Sequence, residues 1–187
     1  PWCFTYSQSI SLNPILPGAV MKKCRSNQDT AVTISRIMLP QDANPAGIVH
    51  GGVVMKEIDN AAGVAAVRHT RKICVTASID RMDFHNPTFI GDLLMVKASV
   101  NMTGTTSMEI GVRVETENLL SGKTTHIASA YLTFVALDEN HRPTRIPALE
   151  PKTGEDRRRH DEARASKQVR LSEKQKEKSC QADPDTC

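Results

Sequence analysis

The stretch VVMKEIDNAAGVAAV, residues 53–67, limits what this chain can fold into more than any other. It holds no proline, and Val54, Ile58, Ala61, Ala62 and Ala65 recur at helical spacing. Toward its end it is apolar nearly all round. Such a helix has to be buried, and its small side chains let a second layer pack close against it. Ahead of it, the loop QDANPAGIV is broken by Pro45 and Gly47, and His50-Gly51-Gly52 opens the helix. Behind it, Arg68, His69, Arg71 and Lys72 crowd the C-terminal end, where cations suit the helix dipole.

Strands supply the second layer. Ala31–Leu39 is β-branched and apolar, and Pro40 ends it. Ile73–Phe84 alternates, with Val75, Ala77 and Ile79 on one face and Thr76 and Ser78 on the other. Leu93–Met102, Ser107–Thr116 and Thr124–Leu137 follow, separated by turn-forming sequences. Short turns make neighbouring strands antiparallel. The expected fold class is α+β: an antiparallel sheet of about five strands wrapped around one long central helix. A charged C-terminal helix or tail follows the sheet.

Residues 26–150 are expected to form the domain, with residues 1–25 an extension outside it. Met21, followed by two lysines, is a plausible natural start, and residues 1–20 contain no Lys or Arg, unlike a signal or transit peptide. Residues 151–187 are expected to be helical and charged to about residue 178, solvated or partner-bridging, then disordered. The formal net charge is +3. The segment 151–178 carries a surplus of four positive charges and the rest of the chain is near neutral. Aromatic residues are 4% of the chain, so a basic tail without stacking side chains gives no support for a nucleic-acid partner. No apolar run is long enough to span a membrane. Cys3, Cys24, Cys74, Cys180 and Cys187 are scattered without metal-ligand spacing, as are the histidines, which points to reduced thiols in a cytoplasmic protein and to no metal.

Five ordered stretches carry a resemblance: DANPAGIVHGG, VVMKEIDNAAG, TASIDRMDFHNP, GTTSMEIGVRVETEN and LTFVALDE. Together, over roughly residues 30–147, they resemble the cytosolic acyl-CoA hydrolase family, the brain-type acyl-CoA thioesterases and their single-domain bacterial relatives. The resemblance implies the hotdog fold and hydrolysis of acyl-CoA to a free fatty acid and coenzyme A, with no cofactor beyond the coenzyme A of the substrate. It also implies active sites at a dimer interface, and relatives that commonly assemble as trimers of dimers.

The residues support that chemistry. A thioester hydrolase needs a polarised carbonyl, an activated nucleophile and a held leaving group. A helix N-terminus offers unpaired N–H groups and a positive dipole end, and Gly51 and Gly52 let a substrate approach that backbone. The Gly51 N–H and the Asn44 amide are the expected oxyanion donors, with His50 either joining them or capping the helix. Asp59 sits mid-helix among Ile58, Ala61 and Ala62, where an unpaired carboxylate is costly. It is the candidate general base, or nucleophile by way of a mixed anhydride. Gly51 and Asp59 lie about 12 Å apart at ~1.5 Å per residue, too far to act on one thioester. A two-fold dimer with antiparallel helices brings Gly51 of one chain to Asp59 of the other, twice.

The resemblance also implies a hydroxyl near the nucleophilic water, for which Thr76 and Ser78 are the candidates. For coenzyme A the candidates are Arg68, Arg71, Thr105 and Ser107, with Gly52 beside the thioester. Competing readings are a non-catalytic acyl-CoA-binding protein, a hydrolase for aryl or short-chain acyl-CoA, and a dehydratase. A dehydratase needs a His–carboxylate pair in one subunit, which the sequence does not offer.

Overall fold

The computed structural model describes residues 24–182. Expectations for residues 1–23 and 183–187, among them the early start at Met21, lie outside the described residues. In chain order the elements are β1 (Cys24–Arg25), α1 (Asn27–Thr30), β2 (Val32–Ile37), α2 (Gly51–Thr70), β3 (Ile73–Phe84), β4 (Leu93–Thr103), β5 (Ser107–Asn118), β6 (Lys123–Leu137), β7 (Ala148–Leu149) and α3 (Gly154–Ala182).

Five strands form one antiparallel sheet in the order β2-β4-β5-β6-β3. The sheet wraps α2. Ile58, Ala61, Ala62, Ala65 and Ala66 are fully buried, in one cluster with Leu94, Val100, Ile110, Val114 and Leu132 from the inner sheet face. The alanines explain the close approach, since anything larger would hold the helix off the sheet. Along most of β4, β5 and β6 the even-numbered residues point inward, as alternation requires for one buried face, with bulges at Asn101 in β4 and at Ile127 in β6, where Ile127 joins the core. The edges are β2 and β3.

Three features depart from expectation. The fold begins earlier than residue 26: Cys24–Arg25 pairs in parallel with Ala148–Leu149, and Arg25 Nη1 donates to the Arg68 carbonyl at 2.6 Å. Alternation fails in β3, where register shifts against β6 fall between Thr76 and Ser78 and between Ile79 and Arg81. Finally, the first half of α3 is not free in solvent. It lies on the outer face of the sheet, with Ala163 3% exposed and Arg159 Nη1 donating to Ser99 Oγ at 3.4 Å. Its start is capped: Asp156 accepts from the Thr153 and Lys152 N–H groups, and Thr153 Oγ1 accepts from the Asp156 N–H. The helix runs on to Ala182, past the expected end near residue 178.

Candidate active site

The loop entering α2 is fixed from both sides. Arg36 on β2 donates to both oxygens of Asp42, at 2.7 and 2.9 Å, and to Glu57 on α2 at 3.0 Å. Asp42 also accepts the Leu39 N–H at 2.9 Å. That N–H holds the Asp42 carboxyl below its ordinary range; Arg36 adds to the effect, and the two outweigh the upward push of burial. One guanidinium thus ties the edge strand, the loop and the helix together.

Within the loop the backbone folds back on itself. Ala43 pairs with Val49, the His50 N–H reaches the Asp42 carbonyl at 2.8 Å, and the Asn44 N–H reaches Ile48 at 2.7 Å. Gly47 turns the chain at φ +78°, a conformation that favours glycine. Asn44 Oδ1 accepts from the Ala46 and Ile48 N–H groups, at 2.9 and 3.3 Å. This network sets the orientation of the amide. Nδ2 is left without an acceptor among the described residues.

His50 caps the helix. Its Nδ1 accepts from the Gly52 N–H at 2.9 Å, so the proton of the neutral ring is on Nε2. A Cβ at Gly52 would stand 3.1 Å from that Nδ1, so glycine here lets the cap close. The Gly51 N–H has no acceptor among the described residues. Asn44 and Gly51 both line a cavity of about 370 Å³, with Val54, Phe84, His85 and Thr88. This end of α2 therefore presents unpaired donors at the positive end of the helix dipole, an arrangement suited to a developing oxyanion.

Asp59 lies elsewhere. It is half-buried and lines a separate groove of about 590 Å³ with Gly63, Val64, Val67, Val75 and Phe134. Its Oδ1 accepts from Thr76 Oγ1 at 2.6 Å. No cation among the described residues pairs with it. Its other oxygen has no donor there, which suits it to take a proton from water.

The bulge in β3 separates two residues that alternation puts together. Thr76 faces α2 and Asp59. Ser78 faces the outer side, donating to Asp80 at 2.6 Å, and Asp80 also accepts from Thr133 at 2.7 Å. Ser107 lines an outer-face cavity with Ser78 and Thr133. Thr105 is exposed, and its carbonyl accepts the Ile146 N–H. The structure thus brings neither Ser78 nor Ser107 to Asp59. Arg68 stands at the far end of the groove, donating to the Ala31 carbonyl at 3.0 Å, and Arg71 ends the helix in a left-handed conformation at φ 56°. The clamp of Arg36, Asp42 and Glu57 was missed from the sequence. Its only local trace is a lone charged residue, Arg36, in the strand VTISRI.

Among the described residues there is no cluster of His, Cys, Asp or Glu that could hold a metal ion, and no helix is long and apolar enough to cross a membrane.

A profile of the thioesterase superfamily matches residues 46–123. An uncharacterized acyl-CoA thioester hydrolase of Bacillus subtilis, YkhA, is 38% identical over 73% of this chain and 78% of its own length. A solved hexameric acyl-CoA thioesterase is 38% identical, with a TM-score of 0.78 over 80% of this chain and 96% of that one. An acyl-CoA hydrolase from Staphylococcus aureus, solved with butyryl coenzyme A and coenzyme A, is 32% identical with a TM-score of 0.78 over 83% of this chain and 95% of that one. Variants of that hydrolase have been solved with alanine in place of an asparagine, of an aspartate 15 residues further on, and of a threonine 17 beyond the aspartate.

Proposed function

The chain belongs to the acyl-CoA thioester hydrolases of the thioesterase superfamily, and from that premise we propose how its two half-sites divide the chemistry. The protein is an enzyme with the hotdog fold, and it hydrolyses acyl-CoA thioesters to a free acid and coenzyme A. Asp59 is the general base. Thr76 holds one of its oxygens, leaving the other to take a proton from water. The water oxygen bonds to the thioester carbon. The oxyanion that forms is held by the Gly51 N–H and Asn44 Nδ2 of the partner subunit, on a helix end capped by its His50. Collapse breaks the C–S bond, and the thiolate recovers the proton from Asp59. Direct attack by Asp59 through a mixed anhydride is the alternative. A single turnover in ¹⁸O water tests for it: label on Asp59 requires direct attack, with water then adding to the Asp59 carbon of the anhydride.

The contact that carries this reading is Thr76 Oγ1–Asp59 Oδ1, at 2.6 Å, beside an apolar groove. Asn44, Asp59 and Thr76 also have the spacing of the three residues replaced in the Staphylococcus hydrolase, 15 and then 17. Dimerisation is supported by the surface. β3 is a sheet edge with Ile73, Val75 and Ile79 exposed along it; Met55, Val64 and Val67 of α2 are exposed too, and Val64, Val67 and Val75 line one groove. Exposed apolar side chains next to a free strand edge mark an association surface. Pairing β3 with its copy about a two-fold axis near Met55 runs the two α2 helices antiparallel and sets Gly51 against Asp59 twice. We propose this homodimer as the minimal unit and a trimer of dimers as the full assembly, with a cytoplasmic location and no cofactor apart from the coenzyme A of the substrate.

Thiol release from acyl-CoA by wild type and Asp59→Ala tests the site. Activity should fall about 10²- to 10⁴-fold with the dimer intact. An Asp59→Ala variant with full activity would sink the assignment.

A further inference from the structure

Asp59, Gly63 and Val67 follow one another at four-residue spacing, so they share a face of α2. All three line the groove that Val64, Val75 and Phe134 complete. The groove is a trough with a carboxylate at one end, Arg68 at the other and mostly apolar walls between them. At Gly63 the trough has no side chain. The fold itself does not call for glycine there. The backbone is helical, glycine weakens a helix relative to alanine, and a Cβ would stand 3.8 Å from Phe134 Cε1, an ordinary contact. Alanine occupies the other small positions of these turns: Ala61, Ala62, Ala65 and Ala66. The missing side chain therefore keeps open the part of the groove nearest the carboxylate.

We propose that Gly63 is the entrance of the acyl-chain channel and Val67 its far limit, so that the enzyme prefers medium-chain acyl-CoA. This rests on Asp59 marking the position of the reacting carbonyl. Asp59 to Val67 spans about 12 Å of helix at ~1.5 Å per residue. An extended hydrocarbon chain advances about 1.3 Å per bond, from ~1.5 Å bonds at near-tetrahedral angles. The channel thus takes roughly eight to ten carbons. In the antiparallel dimer, Val64 and Val67 lie opposite the partner's 42–48 loop, which roofs the trough.

The experiment measures kcat/KM from acetyl- to palmitoyl-CoA for wild type, Gly63→Val and Val67→Ala, each checked for dimerisation by size-exclusion chromatography. Wild type should peak near octanoyl- to decanoyl-CoA. Gly63→Val should lower the decanoyl-to-acetyl ratio by roughly 10- to 100-fold, the range for crowding in an apolar pocket. Val67→Ala, a truncation at an exposed position that the fold tolerates, should move the optimum to longer chains. A wild-type profile without a medium-chain maximum overturns the proposal. So do chain-length ratios unchanged in Val67→Ala and in any folded Gly63→Val. Activity surviving in Asp59→Ala would instead defeat the catalytic reading, whatever the ratios show.

Discussion

Each face of the sheet is covered by a helix, and the two helices are held in opposite ways. The inner one, α2, is rich in small apolar residues and has seven residues at no exposure, five of them apolar. The outer one, α3, is charged along most of its length and, among the described residues, buries little beyond Ala163 and the Asp156 cap. Burial of apolar surface scales with area and holds α2 in one position. Surface ion pairs such as Arg158–Glu162 and Arg159–Glu155 contribute little each, so α3 rests on its cap and a few contacts. The helix that carries the chemistry is the one that cannot shift without unpacking the core. Catalytic groups belong on such an element, because a small misplacement is costly in rate.

That contrast can be broken in graded ways. The largest effect should come from two chains together. Asp59→Ala and a double variant replacing Gly51 and Asn44 should each be nearly inactive, yet mixing them after dissociation should restore about a quarter of the wild-type activity, since half of the dimers regain one of two sites. No recovery in re-formed mixed dimers would place both groups in one chain. Next is Ala62→Leu. Extra methylenes at a fully buried contact should cost about 1–3 kcal/mol in urea unfolding and reduce activity as α2 is displaced. A stable, fully active variant would show that the position of α2 is less constrained than its packing implies.

Asp42→Asn should have a smaller effect and one that depends on pH. The folded carboxyl titrates below the unfolded one, so its contribution is complete above the ordinary carboxylate range near ~4 and is lost as pH falls through the lower folded value. Thermal midpoints of wild type and Asp42→Asn should differ at neutral pH and converge as pH falls below the ordinary carboxylate range. A constant difference would remove the ionised carboxylate from the account. The smallest effect should be Asp156→Ala, which removes the α3 cap at about 1 kcal/mol and loosens amide-exchange protection in α3 alone, with thiol release unchanged. A large loss of activity there would make α3 part of the catalytic unit.

Much of this fold was legible because its periodicities are strong. The buried helix, the four strands after it and their antiparallel order follow from spacing and turn residues. The inner-face residues of β4, β5 and β6 alternate in long runs, broken once at Asn101 and once at Ile127. What could not be read depends on contacts distant in sequence. The bulge after Thr76 inverts the parity of β3, so Thr76 and Ser78, adjacent by alternation, end on opposite faces, and nothing in TASID announces it. The clamp of Arg36 on Asp42 and Glu57 joins three elements. The docking of α3 hangs on one alanine in a charged helix. In the site, Asp59 was legible because a carboxylate in an apolar helix needs a reason, whereas Gly63 looked like one more small residue until Phe134 lay beside it.

β3 is left with an unpaired edge, and the two donors near Gly51 are left without the carboxylate they serve. If pairing that edge completes the site, the fraction of working enzyme follows mass action. On dilution below the dimer dissociation constant, rate per chain should fall with protein concentration while each chain remains folded, and saturating acyl-CoA, bound only by the pair, should pull the subunits back together.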